Sequence, residues 1–213
     1  MMKFFHRSIP IILCLIFLDH LAFSQFGGLD KTTIVELNED RTSGQTKFFK
    51  TVSRSTGPIS VGIPLTLLVV GEINSNKSLQ RKAVYIGESI VVSSAITWGL
   101  KYSINRQRPQ SAYPGEITAA STGGSPSFPS GHTSQAFATA TALSIAFPKW
   151  YVVVPAMGWA ATVAYSRMYL GVHYPSDVVA GALVGMGSAW ITNKANEWIQ
   201  KRHLAKKPNY ALY

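Results

Sequence analysis

Cysteine is nearly missing from this chain: one residue, Cys14, in 213. It lies in an N-terminal apolar stretch and follows Leu13, where a lipid-attachment site would want a small residue. Disulfides and thiolate metal centres are therefore excluded from the body of the protein. Charge is sparse too. Asp, Glu, Lys and Arg make up 14% of residues, well under the roughly one quarter usual for soluble domains. Acids are the scarcer kind, 10 against 20 Lys and Arg, giving a net charge of +10. The sequence holds no HExxH pair, calcium loop or carboxylate cluster, so no metal and no other cofactor is expected. Extended polar–apolar alternation is absent, which argues against a sheet. The positive balance raises nucleic acid as a partner. The basic residues, however, are scattered between apolar segments and form no stripe with interleaved aromatics, so no nucleic acid is expected.

What is present begins with an export signal. Lys3, His6 and Arg7 precede an apolar run from Ile9 to Leu18, and Ala22-Phe23-Ser24 supplies small residues at cleavage spacing. This layout predicts a signal peptide over residues 1–24, cut before Gln25. A retained first membrane helix is the competing reading. The run is only about ten residues long before Asp19 and His20, against the roughly twenty a span needs. Residues 25–56 are polar and mixed in charge, and read as an exported arm with a helix along the membrane surface.

Five apolar segments follow: Gly57–Ile73, Ala83–Leu100, Ser134–Phe147, Trp150–Tyr165 and Ser176–Thr192. Each mixes Gly, Ala, Ser or Thr into its Val, Ile and Leu, a composition suited to close helix packing in a membrane. Their short links favour antiparallel neighbours. The expected fold is all-α: an antiparallel helical bundle over 57–200, with about five transmembrane helices after a cleaved signal peptide. With Gln25 outside, the inner stretches carry Lys77, Arg81, Lys82, Lys149, Lys201, Arg202, Lys206 and Lys207 and no acid. That obeys the positive-inside rule and makes 201–213 a basic cytoplasmic tail, in a bacterial cell membrane. Glu88, if within a span, is expected to face the protein interior. A soluble periplasmic enzyme is the alternative, because Pro64 and Pro155 interrupt two segments and mean hydropathy is only +0.12.

Three short runs carry the chemistry: KYSINRQRP (Lys101–Pro109), PSGH (Pro129–His132) and SRMYLGVHYPSD (Ser166–Asp177). The predicted threading places all three at the outer, periplasmic face. Ser130-Gly131-His132 opens a helix, with serine a favoured N-cap and first-turn amides that lack intrahelical partners. Such an end seats a phosphate, and Gly131 allows close approach. Lys101, Arg108 and Arg167 can surround the remaining oxygens and stabilise charge on a transferred phosphoryl group. His173 precedes Asp177 by four residues. The carboxylate can take a hydrogen bond from Nδ1, leaving Nε2 free to attack phosphorus. His132, one residue inside the phosphate-seating helix, fits a general acid.

The three runs resemble the signature motifs of the type 2 phosphatidic acid phosphatase family, which shares its site with vanadium haloperoxidases and bacterial class A acid phosphatases. The first reads Lys101, six residues, Arg108-Pro109. The second reads Pro129-Ser130-Gly131-His132. The third reads Ser166-Arg167, three residues, Gly171, one, His173, three, Asp177. The resemblance implies a hydrolase acting through a phosphohistidine: His173 as nucleophile, His132 as general acid, and Asp177 orienting His173. Lys101, Arg108, Ser130, Gly131 and Arg167 would hold the phosphate. A phosphorylated lipid suits a site facing outward at a membrane, and a small phosphate ester suits the soluble alternative. A vanadium-dependent haloperoxidase is a further expectation to be tested. The loop from Tyr102 to Phe128, rich in Gly, Ser and Thr, is expected to be mobile and to shape access.

Overall fold

The computed structural model describes residues 28–121 and 123–205. The signal-peptide expectation at 1–24 and the end of the tail at 206–213 lie outside the described residues. Helix α1 spans 28–39, and α2 covers Ser43–Arg54. The bundle proper is α3 (Thr56–Ile73), α4 (Lys77–Ile104), α6 (Gly131–Ala146), α7 (Trp150–Tyr169) and α8 (Pro175–Ala205), with α5 a single turn at Pro109–Ala112. No strand occurs among the described residues.

Local chemistry sets these boundaries. Thr42 Oγ1 accepts the Gln45 amide and starts α2, while Asn76 Oδ1 accepts the Leu79 amide at 3.0 Å and starts α4. Asn105 ends α4 in the left-handed region, φ 49°, a conformation asparagine tolerates better than most residues. Pro175 takes the first position of α8, where its missing amide costs nothing. Pro64 and Pro155 lie inside α3 and α7 without ending them. The five apolar segments become α3, α4, α6, α7 and α8. The added helices α1, α2 and α5 come from stretches read as arm and loop.

The packing is inverted relative to a water-soluble bundle. Helix α6 lies at the centre against α4, α7 and α8, and its buried positions are small or hydroxylic: Thr133, Ser134, Ala136, Ala138, Thr139, Ala140, Ala142 and Ala146. Large apolar side chains instead point outward, among them Leu65, Val69, Val91, Trp98, Val154, Leu183 and Trp190. Such a surface suits lipid, and a small-residue interior suits helices that associate by close backbone packing. Two helical stretches, Ser43–Ile73 and Lys77–Ala112, are long and apolar enough to cross a membrane. Glu88 departs from expectation. It is exposed, not interior, and it accepts a 2.7 Å hydrogen bond from Asn196 Nδ2 on α8. A polar partner on the adjacent helix satisfies the carboxylate without burial.

Close approach of α6 and α8 rests on two glycines one helical turn apart. A Cβ at Gly181 would stand 2.7 Å from Ser130 O, and one at Gly185 would overlap Ser134 O and crowd Ala138 N. By contrast, nothing lies within 4 Å of a Cβ built at Gly187. Antiparallel threading then brings the C-terminal ends of α4 and α7 and the N-terminal ends of α6 and α8 to one end of the bundle. Gly181→Ala should therefore destabilise the protein by about 1–3 kcal/mol through overpacking. Gly187→Ala should be neutral or slightly stabilising. Thermal unfolding in detergent checks this, and equal midpoints for the two variants would contradict the packing described.

Candidate active site

The last turn of α4 delivers Lys101, whose Nζ donates to Pro126 O at 2.5 Å and to Ser127 O at 3.4 Å. Four residues beyond the αL cap of Asn105, Pro109 starts α5. Arg108 enters between them with an extended backbone. Its Nε donates to Ser125 O at 2.8 Å and its NH1 to Val172 O at 2.9 Å. These bonds pin the loop's 125–127 stretch. Lys101, just before the loop, and Arg108, within it, take up these carbonyls.

The α7–α8 turn requires Gly171. It sits at φ +69°, where a Cβ would meet the Arg41 guanidinium and come within 3.0 Å of Thr118 O. Arg41 reaches over the turn from the α1–α2 link, donating to Tyr169 O at 2.7 Å and Thr118 O at 2.5 Å. Two residues on, His173 is 1% exposed. Its Nε2 lies 3.3 Å from Arg108 NH1 and its Nδ1 lies 3.4 Å from Asp177 Oδ2. A guanidinium can only donate, so Nε2 is the acceptor and the ring proton belongs on Nδ1, facing the carboxylate. Burial pushes the His173 pKa well below its ordinary value, to about 3, and Asp177 only partly opposes this. The ring is thus neutral at physiological pH, with its Nε2 lone pair directed at Arg108 NH1.

Asp177 is wholly buried in the first turn of α8. Oδ2 accepts from Ser127 Oγ at 2.5 Å and from the Tyr174 amide at 3.0 Å. The latter is the reciprocal half of a capping box, so Asp177 both caps α8 and faces His173. Its backbone carbonyl accepts the Ser130 amide at 3.0 Å, which ties the start of α6 to α8.

Ser130 occupies the N-cap of α6 with extended backbone, but its Oγ caps no amide and instead accepts from Thr133 Oγ1 at 2.9 Å. The first-turn amides stay outside the intrahelical ladder. Around Gly131 the protein leaves room: an added Cβ would come no closer than 3.8 Å, to Lys101. Arg167, 3% exposed, donates through NH1 to Ser53 Oγ on α2, and its Nε has no hydrogen-bond partner among the described residues. Arg167 also lines a cavity of ≈450 Å³, together with Lys50, Ser53, Arg54, Ala120, Ser121 and His132. His132 is exposed to it and lies within electrostatic reach of Arg167, Arg108 and Lys101.

The structure thus gathers the residues singled out from sequence: Lys101, Arg108, Ser130, Gly131, His132, Arg167, His173 and Asp177. It adds several that sequence reasoning passed over. Ser127 and Arg106 both bond the Asp177 carboxylate. Ser53, Lys50 and Arg54 come from α2, which read as part of a polar arm. Arg106 lies within the first run, and the scarcity of charge could have marked it. Nothing local marks Ser53 or Ser127. Chemically, the arrangement offers a cation-lined anion seat, a free helix end, a neutral buried imidazole held by a carboxylate, and a second imidazole open to the cavity.

Comparison with known proteins bears on this arrangement. The sequence model of the PAP2 superfamily matches residues 82–201, more than half of the chain. A lipid A 4'-phosphatase of Bacteroides thetaiotaomicron is 42% identical over 69 residues, 32% of this chain and 31% of that protein. The chain spans less than two thirds of the length of that curated relative. Among solved structures, LpxE of Aquifex aeolicus superposes with a TM-score of 0.65 at 27% identity, covering 78% of this chain and 95% of that one. A transmembrane PAP2-type phosphatidylglycerolphosphate phosphatase of Bacillus subtilis gives 0.69 at 22% identity, covering 89% and 96%, a likeness of fold. The matched region contains all three runs, helices α6 and α7 and most of α4 and α8, and on that basis the chain belongs to the PAP2 superfamily.

Proposed function

We propose that this protein is a membrane-bound phosphatase that removes phosphate from phosphorylated lipids through a phosphohistidine, with its site facing the periplasm. The observation that carries the reading is the neutral, buried His173, whose Nδ1 faces Asp177 and whose Nε2 lies 3.3 Å from Arg108 NH1. His173 Nε2 attacks phosphorus and the bond to the leaving oxygen breaks. His132, whose pKa burial and the three cations hold low at about 4, is protonated once the phosphate's charge offsets them, and it gives that oxygen its proton. Water then attacks the phosphohistidine, His132 takes the water's proton, and the P–N bond breaks to release phosphate and regenerate the neutral ring. Lys101, Arg108 and Arg167, with the α6 amides, offset the charge spread over the phosphoryl oxygens. The lipid substrate is favoured by the apolar outer surface and by relatives that are named for lipid phosphates. Lys50 and Arg54 at the cavity suit an anionic headgroup. A soluble acid phosphatase of the same family is the second reading, and the membrane test below decides between them.

Purified protein should release inorganic phosphate from one or more of phosphatidate, phosphatidylglycerophosphate, an isoprenyl diphosphate and a lipid A phosphate, and vanadate should inhibit it. Peroxide-dependent halide oxidation that requires vanadate would instead identify a haloperoxidase. The protein should also stay with membranes through a carbonate wash, and a reporter fused after Tyr213 should be cytoplasmic. Release into the soluble periplasm would remove the lipid assignment.

Two substitutions separate seating from activation. Arg167→Lys keeps the charge but loses the planar fork, so it should weaken vanadate inhibition along with turnover. Asp177→Asn should cost on the order of 10³–10⁴ in kcat, with vanadate affinity much better preserved. Near-normal turnover in Asp177→Asn would reduce Asp177 to a helix cap.

A further inference from the structure

Arg106 is the basic residue of the first run that no phosphate contact uses. Its NH1 donates to Asp177 Oδ1 at 2.7 Å and to Ser176 Oγ at 2.7 Å. NH2 donates to Asp30 Oδ2 at 2.7 Å, and the guanidinium stands 4.0 Å over the Tyr174 ring. Asp30 belongs to α1 and is 2% exposed. It accepts the Ser176 amide at 3.0 Å through Oδ1 and the Ser176 hydroxyl at 2.5 Å through Oδ2. One hydrogen-bonded line therefore runs from α1 through Arg106 to Asp177 and on to His173. Apolar packing seats the helix that starts it: Ile34, fully buried, meets Ile117 and Tyr174, the residue between His173 and Pro175.

A carboxylate that steers an imidazole needs a fixed plane. Ser127 and the Tyr174 amide hold only Oδ2, the oxygen that faces the ring, and one held oxygen leaves rotation about the Cβ–Cγ bond free. Arg106 holds the other oxygen through a charge-assisted bond, the stronger kind. Asp30 in turn fixes Arg106 and supplies a counter-charge, so the cation is not left alone beside the phosphate seat. Without Asp30 the partly buried guanidinium would lose one of its two anions, and such a loss grows costly as water is excluded. The two aspartates also divide the capping of α8, Asp30 taking the Ser176 amide and Asp177 the Tyr174 amide.

We infer that Asp30 and Arg106 are positioning residues for the phosphatase reaction: together they set the plane of the Asp177 carboxylate against His173, and α1 is in this way part of the catalytic apparatus. The inference rests on the reading of His173 as the nucleophile. It gives the polar N-terminal arm a chemical task that neither its composition nor the three motifs announce.

The test uses the full chain in detergent with dioctanoyl phosphatidate, vanadate and ¹⁵N-histidine labelling. Arg106→Gln and Asp30→Asn should each lower kcat, by on the order of 10–100-fold for a group acting through an intermediary. KM and the vanadate inhibition constant should stay within about threefold. Arg106→Lys, which restores the charge and one donor, should recover part of the kcat loss. In the spectra, the far-downfield Nδ1 proton of His173, assigned by its loss in His173→Gln, should move upfield or exchange away in Arg106→Gln. Wild-type kcat in both Arg106→Gln and Asp30→Asn, or an unmoved Nδ1 resonance, would overturn the inference. So would parallel loss of kcat, vanadate affinity and thermal stability, the pattern of a structural brace. The Nδ1 resonance reports the His173–Asp177 contact whether or not the protein turns over lipid. Failure of the phosphatase reading would instead show as an inactive wild type with an intact resonance.

Discussion

The three runs and the long loop meet at one buried residue, Asp177. Asp177 takes Arg106 from the first run, Ser127 from the long loop, and the Tyr174 amide and His173 from the third run. Its own carbonyl takes the Ser130 amide from the second. A fully desolvated carboxylate is tolerable only when its lone pairs are answered, and here four donors from three separate stretches answer them. That requirement fixes the chain's geometry at this end of the bundle. The first and third runs are drawn together by a buried anion that both satisfy, and the second joins them through the Asp177 backbone carbonyl.

Around this anion the charge is otherwise of the opposite kind. Lys101, Arg108 and Arg167 are all less than a tenth exposed, and they donate mainly to loop carbonyls and to a serine, not to acids. Such cations are held in place before any substrate arrives. Preorganised donors of this sort are worth most where charge develops in a water-poor site. The small residues of α6 and the glycines of α8 make the arrangement possible. They let the two helices approach until Ser130 and Asp177 are in hydrogen-bond contact. The apolar exterior carries the bulk that the interior lacks.

Much of this was legible in the sequence for identifiable reasons. Each of the three runs is compact, so spacing alone placed His173 against Asp177 across a helix start, and Lys101 at a helix end. The mixture of small and apolar residues announced close-packed helices. What escaped notice depends on contacts without local signature. Asp30 is separated from Ser176 by 146 positions, and Ser53 and Lys50 sit in a stretch that read as an exported polar arm. The loop before the second run looked mobile by composition. Its carbonyls at 125–127 are held by Arg108 and Lys101, an effect that appears only once the bundle is closed. Glu88 was expected inside because a charge in lipid is costly, yet Asn196 on the neighbouring helix meets it at the surface.

The central claim is that His173 forms a covalent bond to phosphorus while His132 serves the leaving group. The most direct measurement is chemical trapping in the His132→Ala variant, which leaves the nucleophile and the phosphate seat in place. That variant, mixed with a substrate bearing a good leaving group and quenched in alkali, should carry an acid-labile phosphoryl group. Peptide mass spectrometry should locate the group at His173. A phosphoryl group located at another residue, or a phosphoenzyme that still forms in His173→Ala, would contradict the account.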